Sequence, residues 1–167
     1  LFRSNFLADR LEVSYSPDSG TSFPFPRLPV HAGYNLYDTP NMRDGSFLPT
    51  VDVARETGDI YIAYTSKDSL SESRGHIYFV RSDLANPGVS PASQPDWRFR
   101  TPVKISGDAP IRIVSTSTLS VTPDGQRVTV YFYDNRNGTG VNDSGDFYAV
   151  QSIDSGLTWS SPFRVTG

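Results

Sequence analysis

The chain has 167 residues, a formal charge of −3, and 37% hydrophobic and 13% aromatic content. That is enough apolar material for one domain with a buried core, and the weak negative charge with scattered basic residues gives no reason to expect a nucleic-acid partner. The lack of Cys excludes disulfides and thiolate metal sites, and no apolar run is long enough to predict a membrane span.

Thirteen Gly, thirteen Pro and abundant Val, Tyr, Phe, Ser and Thr, with a single Met, predict an all-β fold. The first residue is Leu1, with no initiator Met or apolar leader, so the expectation is a processed product or a piece of a longer chain. In chain order, residues 8–31 read as two strands joined by the turn Ser16-Pro17-Asp18-Ser19-Gly20-Thr21-Ser22-Phe23. A long crossing near 32–45 carries Tyr34, Tyr37, Arg43 and Asp44. Strand 50–53, hairpin 56–59 and strand 60–64 follow, then a strand over 75–82, an insertion over 83–97 and a strand over 102–107. The same series then recurs: strand 118–121, turn 123–126, strand 128–133, polar loop 134–146, strand 145–152, turn 152–159 and strand 162–167.

Internal similarity supports this division. Gly75–Ser82 matches Gly145–Ser152 at an offset of 70, sharing Gly, Tyr, Val and Ser, and Pro102–Gly107 matches Pro162–Gly167 at an offset of 60. The turn at 16–23 is repeated as Ser152-Ile153-Asp154-Ser155-Gly156-Leu157-Thr158-Trp159. Both copies fit Ser-x-Asp-x-Gly-x-(Ser/Thr)-aromatic. An Asp in such a turn folds its carboxylate onto backbone N–H groups ahead of it, Gly supplies a positive φ, and the aromatic ring is expected to fold back on the sheet.

This pattern resembles the Asp-box, or bacterial neuraminidase repeat, of sialidase-like β-propellers, where it forms the hairpin between the third and fourth strands of a blade. The resemblance implies a segment of about two and a half four-stranded antiparallel blades: a half blade at 8–31 and blades at 46–107 and 113–167, in one partial domain over 1–167. Ser16, Asp18, Gly20, Phe23, Ser152, Asp154, Gly156, Thr158 and Trp159 are then structural, and the insertion at 83–97 keeps only the Trp. Because a propeller closes with four to eight blades, the remaining blades are expected as partners, from the same longer chain or from other subunits.

In such propellers the Asp-box turns share a rim with the first-to-second-strand hairpins, and a substrate pocket would lie on the other rim. Ligand-binding candidates there are Tyr34, Tyr37, Arg43, Asp44, Arg112 and Arg136. A sialidase site needs three arginines for the substrate carboxylate, a tyrosine nucleophile with a glutamate, and an aspartate acid/base. The Phe-Arg-Ile-Pro motif is absent, Leu1-Phe2-Arg3-Ser4-Asn5 sharing only Phe-Arg. Glu12 falls on a strand, Glu56 on the turn rim and Glu72 in a Ser-rich loop, so no catalytic residue is assigned. The expected function is an exported or cell-surface module (extracellular, periplasmic or surface-bound) that recognises or scaffolds a glycan or protein. The alternative is a segment of an exo-sialidase-like glycoside hydrolase whose catalytic groups lie largely on other blades. No cofactor is expected, with the oxygen-rich loop 134–146 as the one place for Ca²⁺.

Overall fold

The computed structural model describes residues 2–5, 10–32, 49–68, 75–84, 96–107, 114–138 and 145–166. Among these every regular element is a strand, and the strands form three antiparallel sheets. The first sheet joins β1 (Phe2–Asn5), β2 (Arg10–Val13) and β3 (Leu28–Ala32). It thus begins at Phe2 and has three strands, where the sequence pattern suggests two beginning near residue 8. Phe2–Asn5 is only four residues long, so its own alternation carries little signal.

The second sheet contains β4 (Thr50–Val53), β5 (Ile60–Ser66), β6 (His76–Leu84), β7 (Trp97–Phe99) and β8 (Val103–Lys104). Its outer edge is split: β7 pairs with Ser82–Leu84, and β8 with Tyr78–Phe79. The third sheet runs β12-β11-β10-β9, from β9 (Val114–Val121), β10 (Val128–Asp134), β11 (Asp146–Ser152) and β12 (Phe163–Arg164). The fourth-strand matches at 102–107 and 162–167 shrink to two paired residues each. Pro102 and Pro162 lack the N–H that would extend the ladder on their side.

Every residue of β5 is buried, because its two faces meet different neighbours. Ile60, Ile62 and Tyr64, with Val80 of β6, pack against Leu11, Val13 and Val30 of the first sheet. Tyr61, Ala63, Ile77 and Phe79 point the other way, onto Val128, Val130, Phe132, Tyr148 and Val150 of the third sheet. The period of two thus splits one strand between two cores. β10 has only one covered face, and its burial alternates accordingly.

Large aromatic residues fasten neighbouring sheets. Trp159 meets Phe79 edge-on with ring centroids 4.7 Å apart, and Trp97 meets Tyr15 in the same manner at 5.6 Å. Phe23, expected to fold onto its sheet, is instead 40% exposed. Phe25, two residues on, takes the place beside Tyr15 at 5.7 Å.

Candidate functional site

At one end of the sheets the two repeated turns have the same hydrogen-bond circuit. Ser16 Oγ and Ser152 Oγ accept the N–H groups of Gly20 and Gly156, at 2.7 and 2.8 Å, and donate to Asp18 and Asp154, both at 2.7 Å. Each aspartate then accepts the backbone N–H and the hydroxyl of the residue four ahead, Ser22 at 2.8 and 2.6 Å or Thr158 at 2.9 and 2.6 Å. The backbone closes through positive φ at Ser19 (58°) and Gly20 (91°), and at Ser155 (61°) and Gly156 (85°). Both carboxyls are held down to about 2, Asp18 chiefly by the Ser22 hydroxyl and Asp154 chiefly by that of Thr158. Both oxygens of each carboxylate accept hydrogen bonds within its turn, which commits these aspartates to holding the turns.

The circuits are alike, but their surroundings differ. The 16–23 turn is exposed, with nothing within 4 Å of a Cβ placed on Gly20. The 152–159 turn meets the middle sheet through Arg81 Nη1, which donates to Ser155 O at 2.9 Å, and is tied to the β9–β10 turn of its own sheet by Ser155 N–H donating to Gln126 O at 3.0 Å. A Cβ on Gly156 would stand 2.3 Å from Phe79 Cε1.

The opposite end carries two polar clusters in corresponding places. On the middle sheet the Tyr78 hydroxyl donates to Asp68, which also accepts from Lys104 Nζ at 2.9 Å and has His76 Nε2 at 3.8 Å. Burial tends to raise the Asp68 carboxyl, but the hydrogen bonds from Tyr78 and Lys104 outweigh it and leave it below the usual range. On the third sheet the Tyr148 hydroxyl accepts from Asn137 Nδ2 at 2.7 Å. Asp146 accepts from the same amide at 3.1 Å and from Arg164 Nη2 at 2.6 Å. The Asn137 bond first, then Arg164, lowers the Asp146 carboxyl. Tyr78 stacks on Tyr64 at 5.9 Å, and Tyr148 on Phe132 at 6.3 Å. A tyrosine from the third strand, a base from the fourth and an acid thus meet on each sheet. The acid comes from the loop after β5 in one and from the start of β11 in the other.

Arg136 lies beside the second cluster but is turned inward. Its side chain forks onto the fully buried Asp134, with Nε at 2.7 Å, while Nη2 also donates to Ser106 O at 3.0 Å. Its guanidinium carbon sits 4.4 Å above the centre of the Tyr148 ring. The Asp134 Oδ1 accepts the Arg136 N–H at 2.7 Å. Of the ligand-binding candidates read from sequence, Arg136 is therefore occupied in holding its own loop. Tyr34, Tyr37, Arg43, Asp44 and Arg112 lie outside the described residues, as do residues 139–144 of the loop considered for Ca²⁺. In the described part of that loop, Asp134 and Asp146 already take cationic or amide donors. Among the described residues no group of three or more His, Asp or Glu could hold a metal ion, and no helix is long and apolar enough to cross a membrane.

Tyr78, Lys104, Tyr148 and Arg164 were not singled out by their local sequence. The signal that could find them is the double offset, because aligning 75–82 with 145–152 and 102–107 with 162–167 puts tyrosine on tyrosine and base on base.

No protein-family model and no curated protein matches the chain. Among solved structures it is similar to Hadza microbial sialidase Hz136, at 15% identity and a TM-score of 0.52, over 93% of this chain. The chain spans 31% of the length of that structure. At this identity the likeness speaks to fold: the three sheets are successive blades of a β-propeller.

Proposed function

We propose that the chain is part of an exported or cell-surface Asp-box propeller, and that it serves recognition or scaffolding through the rim opposite its closing turns. The observation that carries this reading is the recurrence of a tyrosine, an acid and a base at the same place on two adjacent blades. Hydroxyl, carboxylate and ammonium groups held in fixed geometry suit a hydroxyl-rich ligand, and a glycan is the reading we favour. The two repeated turns are the Asp-boxes of this reading, and their aspartates are structural. The uncovered face of the third sheet, with Tyr131 and Phe147 stacked at 5.7 Å, would receive a further blade.

The test is a glycan array probed with the protein and with Tyr78→Phe, Lys104→Gln, Tyr34→Ala and Tyr37→Ala. Saturable binding that weakens about tenfold on removal of a rim hydrogen bond supports the reading. An array left blank by folded protein overturns it.

A second reading, an exo-sialidase-like hydrolase, is favoured by the likeness to a microbial sialidase. The forking of Arg136 onto Asp134 leaves that arginine poorly placed to grip a substrate carboxylate. Catalysis would then draw on other residues of a longer protein. Turnover of a fluorogenic sialoside separates the two readings.

A further inference from the structure

Between the outer edge of the middle blade and the closing turn of the third lies a cavity of about 220 Å³, at the rim away from the tyrosine clusters. It opens where the outer edge is split, since residues between β7 and β8 leave the ladder after the Arg100 N–H meets Arg81 O at 3.0 Å. Phe79, buried, forms an apolar floor, and Val103 and Leu157 are half-exposed walls. Arg81 and Arg100 supply its charge.

These two guanidiniums share a single carboxylate. Asp83 accepts Arg81 Nη2 at 3.2 Å and Arg100 Nε at 2.8 Å, so each of its oxygens is used and one positive charge is left over. Arg81 is further tied to Ser155 O. The Nη1 and Nη2 groups of Arg100 have no protein acceptor among the described residues, and its side chain is 42% exposed. Paired N–H donors beside an apolar hollow match a carboxylate joined to an apolar group. Asp83 sets the limit on charge, because a dianion or phosphate would meet it with only one net positive charge in compensation.

We propose that this cavity binds a small monocarboxylic acid, its aromatic ring or branched alkyl chain over Phe79 and between Val103 and Leu157, and its carboxylate on the free edge of Arg100. The volume is below the range of sites for drug-sized ligands and suits a molecule of about ten non-hydrogen atoms. Because Leu157 belongs to the third blade and the remaining wall to the second, an occupant also fastens one blade to the other.

Titration with phenylacetate, followed by ligand-observed NMR and by Tm, tests the site. Saturation in the millimolar range with a rise in Tm is expected, weakened about tenfold or more by Arg100→Gln and by replacing the ligand with phenylacetamide. Val103→Trp, which fills the hollow, should abolish binding, and acetate should not saturate. Absence of saturable binding overturns the proposal, as does equal affinity for phenylacetate and phenylacetamide. The amide comparison uses unaltered protein and stands even if a variant fails to fold. A peptide ending in Phe, run alongside, distinguishes a polypeptide terminus: binding of that peptide alone would reject the free acid.

Discussion

Gly20 and Gly156 occupy one position in two copies of one turn, with φ of 91° and 85°. Replacing either with Ala forces an L-residue into left-handed backbone, at about 1–2 kcal/mol. At Gly156 the new methyl also runs into the Phe79 ring, at an ideal distance of 2.3 Å, which adds roughly 1–3 kcal/mol of overpacking. Gly156→Ala should therefore lower stability clearly more than Gly20→Ala in urea denaturation; equal losses would contradict the packing described. Both aspartates of these turns have carboxyls depressed from 3.8 to about 2. A depressed folded-state value contributes stability that is complete above the ordinary carboxyl range and lost as pH falls towards 2. Tm should therefore fall between about pH 4 and pH 2, and Asp18→Asn with Asp154→Asn should flatten that part of the profile.

Strands and their turns show which features local sequence can encode. The repeated turn circuit spans eight residues, so its Ser, Asp, Gly and Ser or Thr declare it directly. The rim clusters join Asp68 to Lys104 and Asp146 to Arg164 across 36 and 18 positions, and only the blade register brings them together. Loss of the Asp-x-Gly core in the middle blade hides a preserved function, because Trp97 still reaches the preceding blade. Its Ser82, at the position of Ser152, instead accepts the Ile60 N–H at 2.8 Å. Arg136 illustrates the reverse: its place in a polar loop suggests a free cation, while burial of Asp134 turns it inward. Arg136→Leu should cost about 3–5 kcal/mol by leaving Asp134 uncompensated, and Asp134→Leu added to it should restore part of that loss. A thermal-unfolding double-mutant cycle measures both effects.

The three blades share a pattern but not identical surfaces. Ala63 faces Phe79 across the middle blade, whereas the corresponding pair in the third is Tyr131 and Ala149, the large and small members exchanged. The face bearing Tyr131 corresponds to the one that the third blade covers on the second. Tyr133 on this face is 50% exposed, and Ile153 on the turn is 74% exposed. Where another blade buries Tyr133, Tyr133→Lys should destabilise by about 2 kcal/mol, while Ile153→Lys should have little effect. Equal Tm values for the two variants would leave the face uncovered.

The tryptophan contacts give the molecule a direction. Trp97 reaches back to Tyr15, and Trp159 reaches back to Phe79. Each blade is thus latched by its successor, like overlapping roof tiles laid from one end. During synthesis the middle blade would expose Phe79 until the ribosome had delivered the turn ending at Trp159. A chaperone encounter, or a protease cut, would then be most consequential in the interval between making a blade and making its latch.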